Sequence, residues 1–526
     1  KELKAMRPSS ATGSTAAPSA LAALAASALA SAALFCGAAY AQAPAGAELG
    51  PPPAAPAPAP DPAPARVQGP VQAPPPAVPA PAPAVAVPAP STPPAPAGPA
   101  SPGASPAQGP GGPAAPSGAP PEILWAKAYG GAGEDAFTHV SATSDGGLVA
   151  AGRSASADGD SDGNRGASDA WIVRLDSDGG VVWKRTFGGS DVDYASSVAE
   201  TADGGFFAAG ATRSGDGDFR EASGDLSAWA ARLDPDGGLL WLKVFGGDVG
   251  WEAKAVLEVH DGGFLVMGEV DSPEDGCPDG GPCGNLMVVR LDPDGGTLRV
   301  RRPRARATLP GNAAVGIPGG EAAMAYEMYS RDGSPEARVT RAGREGRHLW
   351  TRTVASDAAS YALATVGKGG SGGFVGAGEA SRAPEPGGAA GRRPWIFRLN
   401  PDGALLWEAL PLGGASGEFR GVAVADGGFF AVGAAENLAG DGAGHYDILA
   451  AFADSGGAAL WTLALGGSGM DWASSAAAPP GGALYIGGTT NSSDGDFAWR
   501  ARAGDRPDAD GLVVKLARPA AAHGDE

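Results

Sequence analysis

The sequence predicts an all-β fold, a seven-bladed β-propeller of four-stranded antiparallel blades. The first observation is a repeated stretch: RLDPDGGLLW at residues 232–241 recurs in altered form at residues 174–183, 290–299 and 398–407. The second is its period, because the residues at the tryptophan position lie 58, 58, 58, 51, 57 and 54 residues apart, at Trp125, Trp183, Trp241, Arg299, Trp350, Trp407 and Trp461. Such a period is typical of propellers and solenoids, in which one copy cannot bury its faces alone.

Each copy contains four short segments rich in strand-forming residues. In the second copy they are DYASSVAET, FFAAG, AWAARLD and LLWLKVF, separated by Asp-Gly turns and one long acidic loop. Runs of this length between Asp-Gly turns predict antiparallel strands joined by hairpins. If the first strand of each copy is innermost, the Asp-Gly turns lie on one face of the ring and the long loops lie on the other.

The two ends of the repeat region predict how the ring closes. ILWAKAY, at residues 123–129, has the sequence of a last strand with no copy before it, and GLVVKLA, at residues 511–517, has no such strand after it. We therefore expect the N-terminal strand to complete the seventh blade. The predicted propeller spans residues 122–517 and a disordered tail follows at residues 518–526. The fourth copy departs from the pattern, because it has Arg299 in place of the tryptophan.

The N-terminal region predicts export. Positively charged residues at positions 1, 4 and 7 precede a run of alanine and leucine, and residues 39–41 have the A-x-A arrangement that signal peptidase cleaves. We expect residues 1–41 to be a signal peptide, which places the mature chain in the periplasm, at the cell surface or outside the cell. The alternative is an uncleaved anchor, since residues 19–41 are barely long enough to span a bilayer.

Two cysteines remain after the predicted cleavage, which removes Cys36. Cys277 and Cys283 lie in the Gly- and Pro-rich loop DGCPDGGPCGN. An oxidising compartment favours a disulfide between them, whereas a metal site would need further ligands that this loop lacks. The sequence therefore predicts a disulfide that closes this loop.

Residues 42–121 are almost wholly Ala, Pro and Gly, and the chain as a whole is acidic. This composition buries no core and favours extended polyproline II segments, so we expect a disordered, semi-rigid spacer. The chain has 38 basic and 58 acidic residues, a formal charge of −20. Such a charge repels nucleic acid and anionic lipid, so neither is an expected partner. We expect a monomer that does not insert into a membrane after signal cleavage.

One loop has the spacing of a calcium site. In DGDSDGNRGASD the oxygen-bearing residues alternate, a glycine lies at the sharp turn and an acid takes the twelfth place: Asp158, Asp160, Asp162, Asn164 and Asp169. Calcium takes about six to eight oxygen ligands, and this spacing is similar to that of an EF-hand loop. Two features oppose it, since no helices flank the loop and Arg165 takes a usually apolar position. An acid before the third strand also recurs, as a strand cap would, at Asp225, Asp447 and Asp510.

The sequence contains no clear catalytic set. Three acids occupy equivalent places just after the Gly-Gly of their copies: Asp135, Asp193 and Asp471. Channel carboxylates serve glycosidases, but this equivalence favours a structural hydrogen bond that is repeated with the fold. The five histidines are scattered without ligand spacing. We therefore expect no catalytic residues, and calcium is the one candidate cofactor.

The pattern W…GG…D…DGG…G…D.W…L…DG resembles that of secreted bacterial β-propeller repeat proteins. The resemblance covers residues 123–517, and its specific elements are the DGG aspartates Asp145, Asp203, Asp261 and Asp426 and the paired glycines that begin at Gly188, Gly246, Gly413 and Gly466. The resemblance implies binding or scaffolding roles. A looser likeness is to the propellers of quinone-cofactor dehydrogenases, although this sequence has no cofactor-binding signature.

These observations predict an exported, non-catalytic propeller that binds a protein or a glycan through its acidic loop face. Loops can vary on such a face while the strands hold the ring. The alternative is a polysaccharide hydrolase or lyase that uses carboxylates near the central channel. Two acids in non-equivalent positions, held about 5–10 Å apart across the channel, would distinguish that alternative.

Overall fold

The computed structural model describes residues 118–518, apart from residues 162, 224–225, 247–249, 260, 272–283, 302–306, 310–312, 318–320, 330–333, 344–346, 357, 366–371, 383–390, 412–415, 437–445, 480–481 and 504–507. The described residues all belong to one compact unit, Gly103–Glu526, and a separate unit spans Lys1–Pro102. The predicted signal peptide, most of the spacer and the tail, and both Cys277 and Cys283 lie outside the described residues. The signal peptide and the disulfide therefore stay predictions.

The strands form seven antiparallel sheets, the blades of a β-propeller. The first strand of the chain, β1 (Ile123–Tyr129), precedes blade 1. Blade 1 contains β2 (Asp135–Ala142), β3 (Leu148–Ser154), β4 (Asp169–Leu175) and β5 (Val181–Phe187). Blade 2 contains β6 (Asp193–Glu200), β7 (Phe206–Thr212), β8 (Ser227–Leu233) and β9 (Leu239–Phe245). Blade 3 contains β10 (Trp251–Glu258), β11 (Phe264–Asp271), β12 (Gly284–Leu291) and β13 (Thr297–Arg301).

The remaining blades follow in chain order. Blade 4 contains β14 (Ala307–Thr308), β15 (Ala314–Ile317), β16 (Glu321–Tyr329), β17 (Pro335–Gly343) and β18 (Arg347–Ser356). Blade 5 contains β19 (Ala358–Thr365), β20 (Phe374–Arg382), β21 (Gly391–Leu399) and β22 (Leu405–Ala409). Blade 6 contains β23 (Gly417–Ala425), β24 (Gly428–Glu436), β25 (Tyr446–Asp454) and β26 (Ala459–Leu465). Blade 7 contains β27 (Asp471–Ala477), β28 (Leu484–Thr490) and β29 (Asp510–Leu516).

The ring closes as the sequence predicts. Strand β1 pairs antiparallel with β29, with Ile123 opposite Leu516 and Tyr129 opposite Gly511, and so becomes the outer strand of blade 7. The innermost strand of each blade contacts that of the next, and β2 contacts β27 across the closure. The Asp-Gly turns therefore lie on one face, called here the turn face. The connections between second and third strands lie on the opposite face, called here the loop face.

Blade 4 is the irregular blade, as the departure of its sequence copy indicates. Its innermost position is divided between β14 and β15, which both pair with β16. In the blades with a single innermost strand, that strand has 7 to 9 residues and one β-bulge. The ring is thus complete, although one copy has lost the regular inner strand.

The outer-strand tryptophans pack one blade against the next. Trp183 of blade 1 donates its indole N–H to the carbonyl oxygen of Pro235 in blade 2 at 3.1 Å. Its ring lies edge-on to Phe206, with centroids 5.1 Å apart. Equivalent indole bonds, of 3.1 and 3.0 Å, join Trp241 to Pro293 and Trp407 to Ser455.

The repeated stretch RLDPDGG is explained by two sets of hydrogen bonds within a blade. Its arginine is buried and pairs with the aspartate of the DGG turn, as Arg232 does with Asp203. Hydrogen bonds from Thr201 and from that arginine lower the pKa of Asp203 to about 2. Its first aspartate closes the next turn, since Asp234 Oδ1 accepts the N–H of Gly238 at 2.6 Å. The stretch recurs because each of these blades needs both turns.

Helices are a minor component of the described chain. The described 3-10 helices span Gly217–Phe219 and Gly495–Ala503, both in loop-face connections. Within the described residues, no helix has the length and apolar character needed to cross a membrane.

Candidate functional site at the loop face

Recurring carboxylates hold the joint between one blade and the next. Asp193 begins β6 and is fully buried. Its Oδ2 accepts the backbone N–H of Gly189 and the hydroxyl of Ser214, both at 2.8 Å, and its Oδ1 accepts the hydroxyl of Thr212. Burial raises the pKa of this carboxyl. Two further buried acids make the equivalent bonds to a Gly-Gly turn and a serine, at 2.7–3.0 Å: Asp135 and Asp471. The structural interpretation of these three acids is confirmed.

The residues of the predicted calcium loop also bond to the backbone. Asp158 Oδ1 accepts the N–H of Ala132 at 2.7 Å, and the N–H of Asp160 donates to the carbonyl of Gly130 at 2.8 Å. The side chain of Asn164 bonds to backbone groups of its own loop. Two later aspartates repeat the bond of Asp158, each at 2.7 Å: Asp216 and Asp494. The Asp-Gly-Asp pattern therefore provides a second set of hydrogen bonds at the joint between one blade and the next.

Asp169 lies at the following joint, away from the turn that Asp158 contacts. A Cβ on Gly188 would lie 2.2 Å from Asp169 Oδ1, so this glycine is needed for the close approach. Oδ1 accepts the N–H of Arg165 at 3.3 Å, while Oδ2 is buried without a hydrogen-bond partner. Burial raises the pKa of Asp169 to about 6. Asp162 lies outside the described residues, so the structure brings together no complete ligand set.

Calcium at this loop stays a prediction. Among the residues that the structure describes, no group of three His, Cys, Asp or Glu side chains is arranged to hold a metal ion. The guanidinium of Arg165 lies beside this loop. It donates to the carbonyl of Gly188 at 2.9 Å and pairs with Asp218. An internal cation therefore offsets part of the acidic charge of the loop.

The strand register corrects one predicted equivalence. Asp447 and Asp510 do occupy the position of Asp169, at the start of the third strand. In blade 2 that position belongs to Ser227, which lies opposite Thr212 as Asp169 lies opposite Ser154. Asp225 is two residues earlier and lies outside the described residues. The cap is therefore a serine in this copy and not an acid.

A second group of polar and aromatic side chains does not follow the repeat. At the loop-face ends of their strands, blades 5 to 7 place a set that we call the mouth cluster: Glu379, Glu418, Arg420, Tyr446 and Trp472. Glu418 and Arg420 lie on the innermost strand β23, and Trp472 lies on the innermost strand β27. Glu379 is in β20 and Tyr446 begins β25. The cluster thus lies where the inner strands meet the loop face.

Arg420 links the members of the mouth cluster. Its Nε donates to Glu418 Oε1 at 2.6 Å, and its Cζ lies 4.9 Å from the ring centroid of Trp472. The rings of Trp472 and Tyr446 have centroids 5.0 Å apart and planes inclined at 57°. Glu379 and Glu418 are 5% and 8% exposed, whereas both rings are half-buried. Two half-buried aromatic rings, of Tyr446 and Trp472, therefore lie close to buried carboxylates.

The potential around Tyr446 is negative. Burial and then the nearby carboxylates Glu436, Glu418 and Glu379 raise the pKa of its hydroxyl. That hydroxyl donates to Glu436 Oε1 at 3.2 Å. Arginines offset two of the three acids, since Arg392 pairs with Glu379 as Arg420 pairs with Glu418. The surroundings of this ring therefore favour ligands that donate hydrogen bonds.

Strand geometry fixes the pair of Glu418 and Arg420. Side chains two residues apart in a strand share a face, and Arg420 lies at the β-bulge between Phe419 and Gly421. On the next strand, a Cβ at Gly433 would lie 2.0 Å from the carbonyl oxygen of Glu418. This glycine therefore permits the inner strand to approach closely at the bulge.

Blades 2 and 3 carry a related group on their inner strands. Tyr194 donates its hydroxyl to Glu252 Oε1 at 2.6 Å, and Lys254 pairs with the same carboxylate. Glu252 and Glu418 hold the same register position, the second residue of the innermost strand. These two acids are therefore equivalent within the repeat, and they do not meet the criterion of non-equivalent channel acids.

The sequence analysis missed the mouth cluster, because its members come from four strands that are distant along the chain. A usable signal was nevertheless present. The first residue of the innermost strand is an aspartate in three blades, whereas the second is an alanine, a tyrosine, a glutamate or a tryptophan: Ala136, Tyr194, Glu252, Ala359, Glu418 and Trp472. The fold places this residue at the same location in each blade but does not determine its type. Variation there indicates a surface whose residues can differ according to function.

Known proteins are only weakly similar to this chain. No family model matches the chain, and no curated protein sequence matches it. A puromycin hydrolase is similar at 17% identity, with a TM-score of 0.42 over 71% of this chain and 53% of that one. This chain thus spans about half the length of that hydrolase.

Two further solved structures illustrate the range of similar proteins. A GH43_1 enzyme from Xanthomonas citri is 13% identical, with a TM-score of 0.29 over 52% of this chain and 90% of that one. A neuraminidase-like protein from A/bat/Guatemala/164/2009 is 7% identical, with a TM-score of 0.36 over 77% of this chain and 98% of that one. At these identities the likeness concerns the fold alone.

Proposed function

We propose that this chain is an exported binding module that holds a glycan against the mouth cluster. The observation that carries the proposal is that a pair of aromatic rings lies beside two ion-paired acids at blades 5 to 7, whereas the related group in blades 2 and 3 contains one ring, Tyr194, and one acid, Glu252. A residue that recurs in every copy is explained by the fold, because each blade needs the same joint. The mouth cluster has no such explanation, and it lies on the face whose loops vary.

The chemistry of the mouth cluster suits a sugar ring. A sugar presents C–H groups on its faces and hydroxyls at its rim. The half-buried rings of Tyr446 and Trp472 offer apolar faces to the C–H groups. Glu418 and Arg420 lie beside those rings, and their charges strengthen hydrogen bonds with hydroxyls. A ligand that stacks on the rings while its hydroxyls contact the ion pair would use all of these groups.

The N-terminal sequence supports the location in this proposal. The predicted signal peptide at residues 1–41 would direct export, and the Ala- and Pro-rich spacer would hold the propeller away from a membrane or wall. An exported module of this kind meets the polysaccharides of a cell envelope or of the surroundings. The single-chain ring is complete without a second copy, which supports a monomer.

The proposal is tested by a glycan array with the full chain, followed by calorimetric titration of the glycans that bind. We expect Trp472→Ala to weaken binding at least about tenfold, which corresponds to about 1.4 kcal/mol, because the ring that faces the ligand is lost. Trp499→Ala is the matched control, since Trp499 is 38% exposed and lies outside the mouth cluster. Equal loss of affinity in both variants, or unchanged affinity in Trp472→Ala, would contradict the proposed site.

The same glycans distinguish binding from the catalytic alternative. Incubation with the full chain should leave their lengths unchanged if the propeller only binds. Release of shorter chains that disappears in Glu418→Gln would favour a polysaccharide hydrolase or lyase. Melting temperatures of all variants must stay close to that of the parent chain for either comparison to count.

A further inference from the structure

Apolar side chains line the outer edges of the blades. Along the outer strands of blades 7, 1, 2, 3 and 5, large apolar side chains are 39–62% exposed, among them Val181, Val182, Leu239, Leu240, Leu405 and Leu406. Each of these strands is the last in its sheet, so one backbone edge faces outward. Native proteins usually cover or charge such edges, because an open apolar edge invites pairing with another strand.

Blade 6 is covered at the same place by the chain itself. The N–H of Gly118 donates to the carbonyl oxygen of Leu460 in β26 at 2.7 Å. Ala459 and Leu460 are half-buried there, whereas their counterparts in blade 5, Leu405 and Leu406, are 44% and 56% exposed. The chain thus contacts the edge of blade 6 immediately before it enters blade 7 as β1. This contact shows what kind of segment such an edge accepts: Gly118 is followed by Ala and two prolines.

We propose that residues 103–117 cover the outer edge of blade 5 in the way that Gly118 covers the edge of blade 6. Followed from β1 toward the N-terminus, the chain leaves blade 7 and contacts blade 6 at Gly118. The next outer edge around the ring is that of blade 5. In polyproline II geometry residues 103–117 span about 46 Å, at roughly 3.1 Å per residue, and packed sheets lie about 10 Å apart, so the neighbouring edge is within reach.

The chemistry of residues 103–117 matches this edge. Their sequence, GASPAQGPGGPAAPS, has no charged residue, so covering Leu405 and Leu406 would bury no charge. Proline lacks an N–H but keeps its carbonyl, which can accept the outward N–H groups of β22. Alanine methyls and proline rings would shield the two leucines from water. This docking does not depend on the mouth cluster, which lies at the inner strands.

Hydrogen exchange of the full chain tests this proposal. The variant replaces residues 103–117 by an equally long sequence of Gly, Ser and Glu, which is flexible and charged. We expect amides of β22 to exchange at least about tenfold faster in the variant, because local protection falls when the covering segment leaves. Strand β9 in blade 2 is the internal control, since no covering segment is proposed there, and its exchange should be unchanged. Equal exchange of β22 in both chains would overturn the proposal.

Dilution distinguishes whether the edge of blade 5 is covered by a segment of the same chain or by a second copy of the chain. If residues 103–117 of the same chain cover blade 5, the protection of β22 is the same after a hundredfold dilution. Protection that falls on dilution, together with a dimer at high concentration, would assign the edge to another molecule and would overturn the intramolecular proposal.

Discussion

The joint between blades 1 and 2 and the mouth cluster at blades 5 to 7 both contain buried acids, but the acids are held differently. At the joint, Asp193 accepts hydrogen bonds from a backbone N–H and two hydroxyls of its surroundings. At the mouth, Glu418 pairs with the side chain of Arg420, which also lies over the half-buried ring of Trp472. At the joint, the polar groups satisfy one another's hydrogen bonds. At the mouth cluster, charged groups and the faces of aromatic rings are presented to the loop face.

This difference shows how to separate structural from functional residues in a repeat protein. The joint acid recurs in blades 1, 2 and 7, and in each case it fastens a Gly-Gly turn. The combination of mouth residues differs from that of the related group in blades 2 and 3, although Glu252 holds the register position of Glu418. Strong burial and a shifted pKa are therefore poor guides to function here, because Asp193 and Asp471 have both and serve the fold.

The largest effect is expected at the joint. Asp193→Ala leaves one backbone N–H and two hydroxyls buried without their acceptor, so we expect the free energy of unfolding to fall by about 3 kcal/mol. Chemical denaturation of the full chain measures the change. Asp191→Ala is the matched control, because Asp191 is exposed, its carboxylate accepts the N–H of the neighbouring Val192 at 2.7 Å, and its backbone bond to Ser214 is kept in the variant. A loss as large in the control would refute the role given to Asp193.

A smaller and opposite effect is expected at Asp169. Because burial raises the pKa of this acid to about 6, the folded protein holds its proton more tightly than the unfolded chain, whose pKa is about 3.8. Its contribution to stability is complete below pH 4 and is lost as the pH rises through 6. We therefore expect Asp169→Asn to change little at pH 4 and to stabilise the fold by about 2 kcal/mol at pH 7.5. Unfolding curves at both pH values measure this, and an equal effect at the two would contradict it.

The mouth cluster should separate stability from binding. Glu418→Gln keeps the shape of the side chain and an oxygen that can accept from Arg420, whose charge is partly exposed to water, so we expect a loss of about 1 kcal/mol and not the larger loss of a charge left buried without a partner. Glycan binding should nevertheless weaken several-fold. Chemical denaturation and titration of the same preparation measure both quantities. If stability falls as far as in Asp193→Ala, the mouth acid is a structural residue and the comparison between the two regions fails.

The smallest effect is expected from calcium. Asp158 and Asn164 already bond to the backbone, so calcium must compete with those bonds, and we expect it to raise the melting temperature by less than about 1 °C. Calorimetric titration of the full chain and of the Asp160→Ala, Asp162→Ala double variant provides the check. Saturable heat that disappears in the double variant would establish a calcium site in this loop.

The fold was largely predictable, because a repeat states the same structural requirement many times. Spacing of the tryptophans predicted seven blades, and the unmatched strand at residues 123–129 predicted the closure with β29. Blade 2 shows the limit of such reasoning, since its cap is Ser227 and not the acid Asp225. Loop length differs between copies, so residues near a variable loop cannot be aligned by residue type alone.

The mouth cluster was not predictable in the same way. Glu379, Glu418, Tyr446 and Trp472 have no common motif, and their proximity depends on how neighbouring blades are placed around the ring. Burial of Glu418 and the stacking of Arg420 on Trp472 are properties of that placement. Trp472 follows the repeated acid Asp471, and Glu418 holds the same register position in its own blade, so these two residues are the ones that register links to the repeat.

The pairing of β1 with β29 has a mechanical consequence. The N–H of Ala517 donates to the carbonyl oxygen of Glu122 at 2.8 Å, so both chain ends leave this strand pair at the same end. A pull on the N-terminal spacer, opposed by the rest of the ring, therefore loads the bonds of β1 one after another and not all together. Peeling of this kind needs little force. A propeller tethered by its spacer would thus lose the contact of Gly118 with blade 6 first, and its ring would then open at blade 7.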